Sequence, residues 1–230
     1  IIRSIITMGG TCPENGIQVN RRNPKTPKIR KLFPDTVPVP YLPAFIRKEE
    51  PDISGARRGT AFHRVLELME YGRFADLPGN VPSEDAVESW IRSLARAGKM
   101  APEDASLVSA GSVQAFLRSP LAERMAAAEK RGQLFREQPF VLGCPANRLR
   151  EDFPCDEMIT VQGIVDAFFL DQDAIILVDY KTDRVRDSQE LIRRYRAQLD
   201  LYAEALEKAF CLPVAEKIIY STALGCEIRI

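Results

Sequence analysis

Apolar positions fall into two rhythms along the chain. Between residues 59 and 131 they recur at three- and four-residue steps. Phe62, Val65, Leu66 and Met69 make one stripe and predict a helix over 59–71. Trp90, Ile91 and Leu94 make a second over 82–97, with Ser83 as its cap. A third helix is expected to start at 101–107 and to continue through 110–117. Ser119-Pro120 opens a fourth over 121–130, because proline suits a first helical turn. From residue 134 the rhythm changes. A strand is predicted at 134–142, and the stretch 160–183 reads as two strands joined by the polar turn Asp171-Gln172-Asp173. Leu191, Tyr195, Leu199, Tyr202 and Leu206 then predict a long helix over 188–210, followed by strands at 214–221 and 226–230. The fold class is therefore α/β, a mixed central sheet flanked by helices with a helical insert ahead of it. The crossover from the second strand of the pair through the long helix is expected to be right-handed.

The N-terminal part breaks both rhythms. Residues 1–8 make one strand, and 21–43 repeat proline too often for a helix or an inner strand. The expected division is a strand and basic, proline-rich linker over 1–43, then one domain over 44–230 with a helical region at 59–131 and an α/β core at 134–230. The linker reads as a solvated tether or as one that also touches phosphates.

Composition narrows the function classes. Lys plus Arg number 32 and Asp plus Glu 32, so the formal net charge is zero and a strongly basic free-standing nucleic-acid binder is disfavoured. A local basic groove is still compatible with that balance. The five cysteines have no C-x-x-C spacing, which argues against a zinc ribbon or a disulfide scaffold and for reduced thiols in a cytoplasmic protein. No run is long and apolar enough to span a bilayer. The chain begins at Ile1 without an initiator methionine, and the expectation is a fragment of a longer polypeptide.

The chemistry concentrates in a few acids placed where acids are costly. Asp166 interrupts an apolar strand run, and Asp179 closes another. Alternation along a strand puts Asp179 and Lys181 on one face and Val178 and Tyr180 on the other. Ionised groups at buried strand ends must pair or hold a cation. The Asp179/Lys181 pair alone reads equally as an ion pair leading into a turn. His63, the one histidine, lies four residues before Glu67 on a common helix face; it reads as a metal ligand or as a partner of Glu67. Glu137 is either an outward strand residue or an acid aimed at Asp166, since Pro139 marks an edge or a bulge.

Four segments occur in order: GTAFH at 59–63, GIVD at 163–166, VDYKTD at 178–183 and YRAQLDLY at 195–202. Together they resemble the RecB-family nucleases of the PD-(D/E)XK superfamily. REQPF at 136–140 resembles a segment that precedes the catalytic strands there. LPAF at 42–45 and the helical insert look most like the C-terminal nuclease domain of AddA-type helicase–nuclease subunits. The resemblance implies a restriction-endonuclease-like core and a Mg²⁺-dependent exonuclease, with Mn²⁺ as a substitute ion. It implies His63, Asp166, Asp179 and the main-chain carbonyl of Tyr180 as metal ligands, and Lys181 as the group that orients water. It gives Gln198 and Tyr195 a catalytic part in holding the substrate backbone, and Tyr202, Arg184 and Arg186 contacts to DNA. The cysteines lack the cluster spacing of the AddB and Cas4 types, so no iron–sulfur cluster is expected. The implied partners are single- or double-stranded DNA ends, helicase domains in the same polypeptide, which would use the ATP, and an AddB-type second subunit. The setting is a cytoplasmic, nucleoid-associated enzyme that processes double-strand ends for recombinational repair. The alternatives are a catalytically silent DNA-binding or helicase-docking relic of the same fold, and a stand-alone recombination or CRISPR-linked nuclease.

Overall fold

A computed structural model describes residues 53–74, 82–145, 147 and 158–230. The strand expected at 1–8, the linker at 21–43 and the boundary at residue 43 lie outside these residues. The elements run α1 (Ile53–Glu67), a 3-10 turn (Tyr71–Phe74), α2 (Glu84–Arg96), α3 (Pro102–Ala105), α4 (Ala110–Leu117), α5 (Pro120–Lys130), β1 (Leu134–Pro145), β2 (Met158–Asp171), β3 (Ala174–Lys181), α6 (Ser188–Phe210), β4 (Val214–Ser221) and β5 (Cys226–Arg229). Ser83 caps α2 as expected, and Ser119, ahead of the expected Pro120 start, caps α5. The helix expected to continue through 101–117 divides instead, because the Ser109 side chain caps the Ser112 N–H and starts a new helix at Ala110. Among the described residues no helix is long and apolar enough to cross a membrane.

The five strands lie in the order β1-β2-β3-β4-β5. All neighbours are antiparallel except β3 and β4, which are parallel and therefore need a long crossover; α6 supplies it. One face of the sheet carries Phe169, Ile176, Val178, Tyr180 and Tyr220 under the helices that precede β1. The other carries Phe168, Leu177 and Ile219 under Leu191, Leu199 and Leu206 of α6. The result is three layers, with α1 and α6 on opposite sides of one strand end.

Two glycines mark close approaches. A Cβ on Gly59 would stand 2.8 Å from Thr182 Oγ1, so α1 passes directly beside the segment leaving β3. A Cβ on Gly163 would stand 2.6 Å from Cε1 of Phe140, whose ring lies edge-on to Tyr202 at 5.2 Å. Gly163→Ala must displace that ring and is expected to destabilise the protein by roughly 1–3 kcal/mol. Urea denaturation measures the loss, and the double variant with Phe140→Leu should recover much of it; equal stability of Gly163→Ala and parent would contradict the packing described.

Cys144 is a buried free thiol and Cys226 an exposed one. Cys211 departs from the all-reduced expectation: it is disulfide-bonded.

Candidate metal centre

β1 and β2 share an irregularity that creates the site. Their register is the same on both sides of it, with Arg136 opposite Ala167 and Gln138 opposite Val165. The intervening pair, Glu137 and Asp166, makes no ladder contact, and Glu137 has a left-handed φ of 46°. Alternation flips across this point on both strands. Phe135 and Phe168 face α6 on one side; Phe140 and Val165 face it on the other. The two acids thus sit where the sheet pattern changes hands, and simple alternation could not have told which way either points.

β2 and β3 part at the same level. Their ladder ends at Ala167 and Val178, and the Asp166 carboxylate takes over: its Oδ2 accepts the Tyr180 N–H at 2.9 Å. Its Oδ1 stands 3.3 Å from His63 Nδ1. His63 Nε2 donates to the Tyr180 carbonyl at 2.9 Å, which fixes the proton on that nitrogen because a carbonyl only accepts. Glu67 is not the partner of His63. It accepts from Arg64 at 2.6 Å instead.

His63, Glu137 and Asp166 each offer one ligand atom, and these atoms lie within 4.8 Å of one another. Adjacent oxygen ligands on Mg²⁺ stand about 3 Å apart, from bond lengths of 2.0–2.1 Å and octahedral angles. His63 Nε2 and the Tyr180 oxygen stand at about that separation, and an ion bound between them would take the place of the proton they share here. The donor set, one imidazole, two carboxylates and a main-chain carbonyl, suits a hard divalent ion, with the nitrogen better tolerated by Mn²⁺ than by Mg²⁺. Asp179 does not join that set. It is 1% exposed, and its Oδ2 stands 2.6 Å from Lys181 Nζ. That oxygen makes no hydrogen bond of regular geometry, so the ammonium is its nearest compensation among the described residues, with a smaller share from the charge of His63.

The charges are tightly linked. Burial pushes the Asp179 carboxyl up to about 6, and Lys181 offsets this only in part. Burial would also raise Asp166, but the His63 hydrogen bond and charge, with Lys181 and the Tyr180 N–H, hold it below its usual range. Burial pulls His63 down, yet Asp166 more than reverses this and leaves it raised. A raised acid or imidazole stabilises the fold in its protonated form, and that stability is lost as pH rises through the folded value. Asp179 and His63 therefore act in the same direction, the first through the region up to about 6, the second above it. Asp166 acts oppositely but only in the acid range. In EDTA, the melting temperature should fall by roughly 5 °C between about pH 5 and pH 8. Calorimetry across that range checks it, and a rise would contradict the assignment.

Lys181 Nζ also lies 4.3 Å over the Tyr195 ring, and the Tyr195 hydroxyl donates to Asp183 at 3.0 Å. Asp183 receives Arg194 at 3.2 Å as well. Tyr195 thus packs against the ammonium with its face, and burial pushes its hydroxyl up to about 12. Gln198 and Tyr202 are held differently. The Gln198 amide donates to the Tyr202 hydroxyl at 2.6 Å, and Tyr202 packs on Phe140 beneath β2. A cleft of about 1190 Å³ opens from His63, Glu137 and Lys181 along α1 and the ends of β3 and β4. Arg184 lines it; Arg186 and Tyr202 are not among its lining residues. Glu137 joins the ligand group although the sequence left its direction open. The signals available were its odd place in REQPF and the proline two residues on.

Comparison with known proteins identifies the family. The model of the PD-(D/E)XK nuclease superfamily matches residues 41–225. The chain is 32% identical to an ATP-dependent helicase/nuclease subunit from Lachnoclostridium phytofermentans over 83% of its own length and 16% of that protein's. Against the protein of the same name from Acetivibrio thermocellus it is 37% identical, over 82% of this chain and 14% of the relative. The counterpart in Clostridium perfringens is 28% identical over 82% of this chain and 15% of the relative. The chain therefore spans about one sixth of these relatives' length or slightly less. With a family match that runs through all four motif segments and reaches from ahead of α1 to the turn before β5, the chain belongs to the PD-(D/E)XK nuclease superfamily.

Proposed function

We propose that the chain is a divalent-metal-dependent DNA exonuclease domain, acting on single strands delivered by helicase domains of a longer polypeptide. The observation that carries this reading is the convergence of His63, Glu137 and Asp166 beside the Tyr180 carbonyl, with the Lys181 ammonium next to it. His63, Glu137, Asp166 and the Tyr180 carbonyl would hold the ion, Mg²⁺ or Mn²⁺, and Asp179 would complete the set by turning from Lys181. The ion would supply charge neutralisation and Lewis acidity at the phosphate. Lys181 would hold the attacking water by hydrogen bonding and offset the charge that builds on the phosphate oxygens. Before the ion enters, Asp179 keeps that ammonium charged and in place, with Asp166 adding to the charge that favours it. Tyr195 confines it from the other side, and Asp183 orients Tyr195. Arg184, in the cleft, would meet a phosphate next to the one attacked. Arg186 would touch the strand farther out, and the Gln198–Tyr202 pair would support β2 from beneath.

In this reading residues 44–230 form the nuclease domain and 1–43 a tether. The name of the relatives, helicase/nuclease subunit, supports a helicase in the same polypeptide and a further subunit; in this reading that subunit is of the AddB type and the pair processes DNA ends for recombinational repair. The test is cleavage of an end-labelled single strand in Mg²⁺ or Mn²⁺ and again in EDTA. Mononucleotides or short products with the metal and none without it are expected. DNA binding with no cleavage in either ion would identify a silent relic of the fold instead.

A further inference from the structure

A second ionic cluster joins the elements that carry two of the three ligands. Arg136 precedes Glu137 on β1, and its guanidinium packs on the helical side of the sheet. Its Nη2 donates to Glu129 Oε1 at 2.5 Å and to the Met69 carbonyl at 2.8 Å. Its Cζ stands 5.6 Å from the centre of the Tyr71 ring. The other Glu129 oxygen, Oε2, accepts the N–H of Tyr71 at 2.8 Å and of Gly72 at 3.3 Å. One carboxylate and one guanidinium therefore tie the chain just beyond α1, the 3-10 turn, the C-terminal turn of α5, and β1.

Stability alone does not account for this cluster. Replacing a desolvated ion pair with apolar side chains of similar size is often neutral or stabilising. Here the pair is also imperfect, since Arg136 Nε is buried with no hydrogen bond among the described residues. What an apolar pair could not supply is directional attachment. α1 carries His63, and β1 carries Glu137 directly after Arg136. The Glu137 backbone is held left-handed at φ 46°, a conformation unfavourable for an L-residue that persists only when its neighbours fix it. Arg136 fixes one neighbour through its side chain. Gln138 fixes the other, its Nε2 donating to the Arg136 carbonyl at 2.9 Å across the strained residue.

We propose that the Arg136–Glu129 pair is a positioning device for the ion. It holds α1 at one distance from β1 and keeps Glu137 turned, so that His63 and Glu137 meet Asp166. This rests on reading those three residues as ligands. Neither Arg136 nor Glu129 touches the ion or the substrate; each acts through the element that bears a ligand.

The test is Mn²⁺ affinity, measured by titration calorimetry on the whole chain well below its melting temperature, with denaturant stability measured in parallel. Arg136→Met and the milder Glu129→Gln should each weaken Mn²⁺ binding by roughly 10-fold or more, as loss of groups that orient ligands does. Val113→Ala, in the same core and distant from both ligand-bearing elements in sequence, is the control for lost stability, which the parallel denaturation measures, and should bind Mn²⁺ like the parent. Parental affinity in both Arg136→Met and Glu129→Gln would overturn the proposal. So would an equal loss in Val113→Ala, which would reduce the effect to general destabilisation. If the unsubstituted chain bound no Mn²⁺, the ligand assignment itself would fall first.

Discussion

Cleavage of single-stranded DNA should fall by roughly a thousandfold or more when Lys181 is replaced by alanine, with DNA binding nearly unchanged. The reason lies in how the ammonium is held. Its side chain is 12% exposed, 2.6 Å from Asp179 and 4.3 Å over the Tyr195 ring. Burial alone would lower its pKa, but Asp179 and Asp166 more than reverse that and leave it raised, so the charge is permanent at neutral pH. A permanent, oriented charge costs no reorganisation when negative charge develops beside it. Truncation leaves a second mark. Asp179 is then buried with no counter-charge, which is strongly destabilising, whereas removing both charges is much less so. Lys181→Ala should therefore be less stable than the double variant Lys181→Ala/Asp179→Asn, and neither should cut DNA. Single-turnover cleavage with thermal melting reads both effects. Parental cleavage by Lys181→Ala would remove the lysine from the chemistry.

Phe116→Ala is expected to cost about 3–5 kcal/mol, a large part of the roughly 5–15 kcal/mol that holds a domain of this kind together. Phe116 is 0% exposed on α4. Its ring meets Tyr180 edge-on at 5.7 Å and Tyr220 at 4.9 Å. Those tyrosines are register partners on the parallel strands β3 and β4. The substitution opens a cavity beneath the one main-chain carbonyl that faces His63, so metal affinity should weaken along with stability. Urea denaturation with and without Mn²⁺ measures both. A loss below about 1 kcal/mol would mean that the cavity collapses or that the ring carries little load.

Much of this architecture was legible because local signals agreed with the tertiary fold. The long helix was bounded at 188–210 by its apolar stripe, and it runs Ser188–Phe210. The strand at 214–221, the Ser83 cap and the Ser119-Pro120 helix start were equally local. The separation of Asp179 and Lys181 from Val178 and Tyr180 followed from alternation alone, and the two core faces bear it out for Val178 and Tyr180. What was not legible depended on the backbone departing from such rules. Glu137 could not be assigned a side because one left-handed residue reverses the alternation around it. Helical spacing leaves His63 either a metal ligand or a partner of Glu67; Arg64 takes Glu67, and His63 turns to a strand 117 residues away. The bond from the Gln198 amide nitrogen to the Tyr202 hydroxyl one turn on is likewise invisible in the sequence, where the resemblance implies only that Gln198 helps to hold the substrate backbone. The Arg136 cluster gave no sequence signal, since its partners converge from three segments that only the fold brings together.

The shared irregularity of β1 and β2 bears on how the domain tolerates changes in length. Beyond Glu137 and Asp166 the two strands continue as a ribbon, with Phe140, Leu142 and Gly163 turned toward α6 and Val141 and Ile164 turned to solvent. Deleting one residue from either strand between the irregularity and the ribbon's far end would invert that strand's inside and outside relative to its neighbour. Deleting one from each, at facing positions, would restore the match. Insertions and deletions in this segment should therefore be accepted in couples and rejected singly, a pairing rule imposed by two acids that never complete a rung of the sheet.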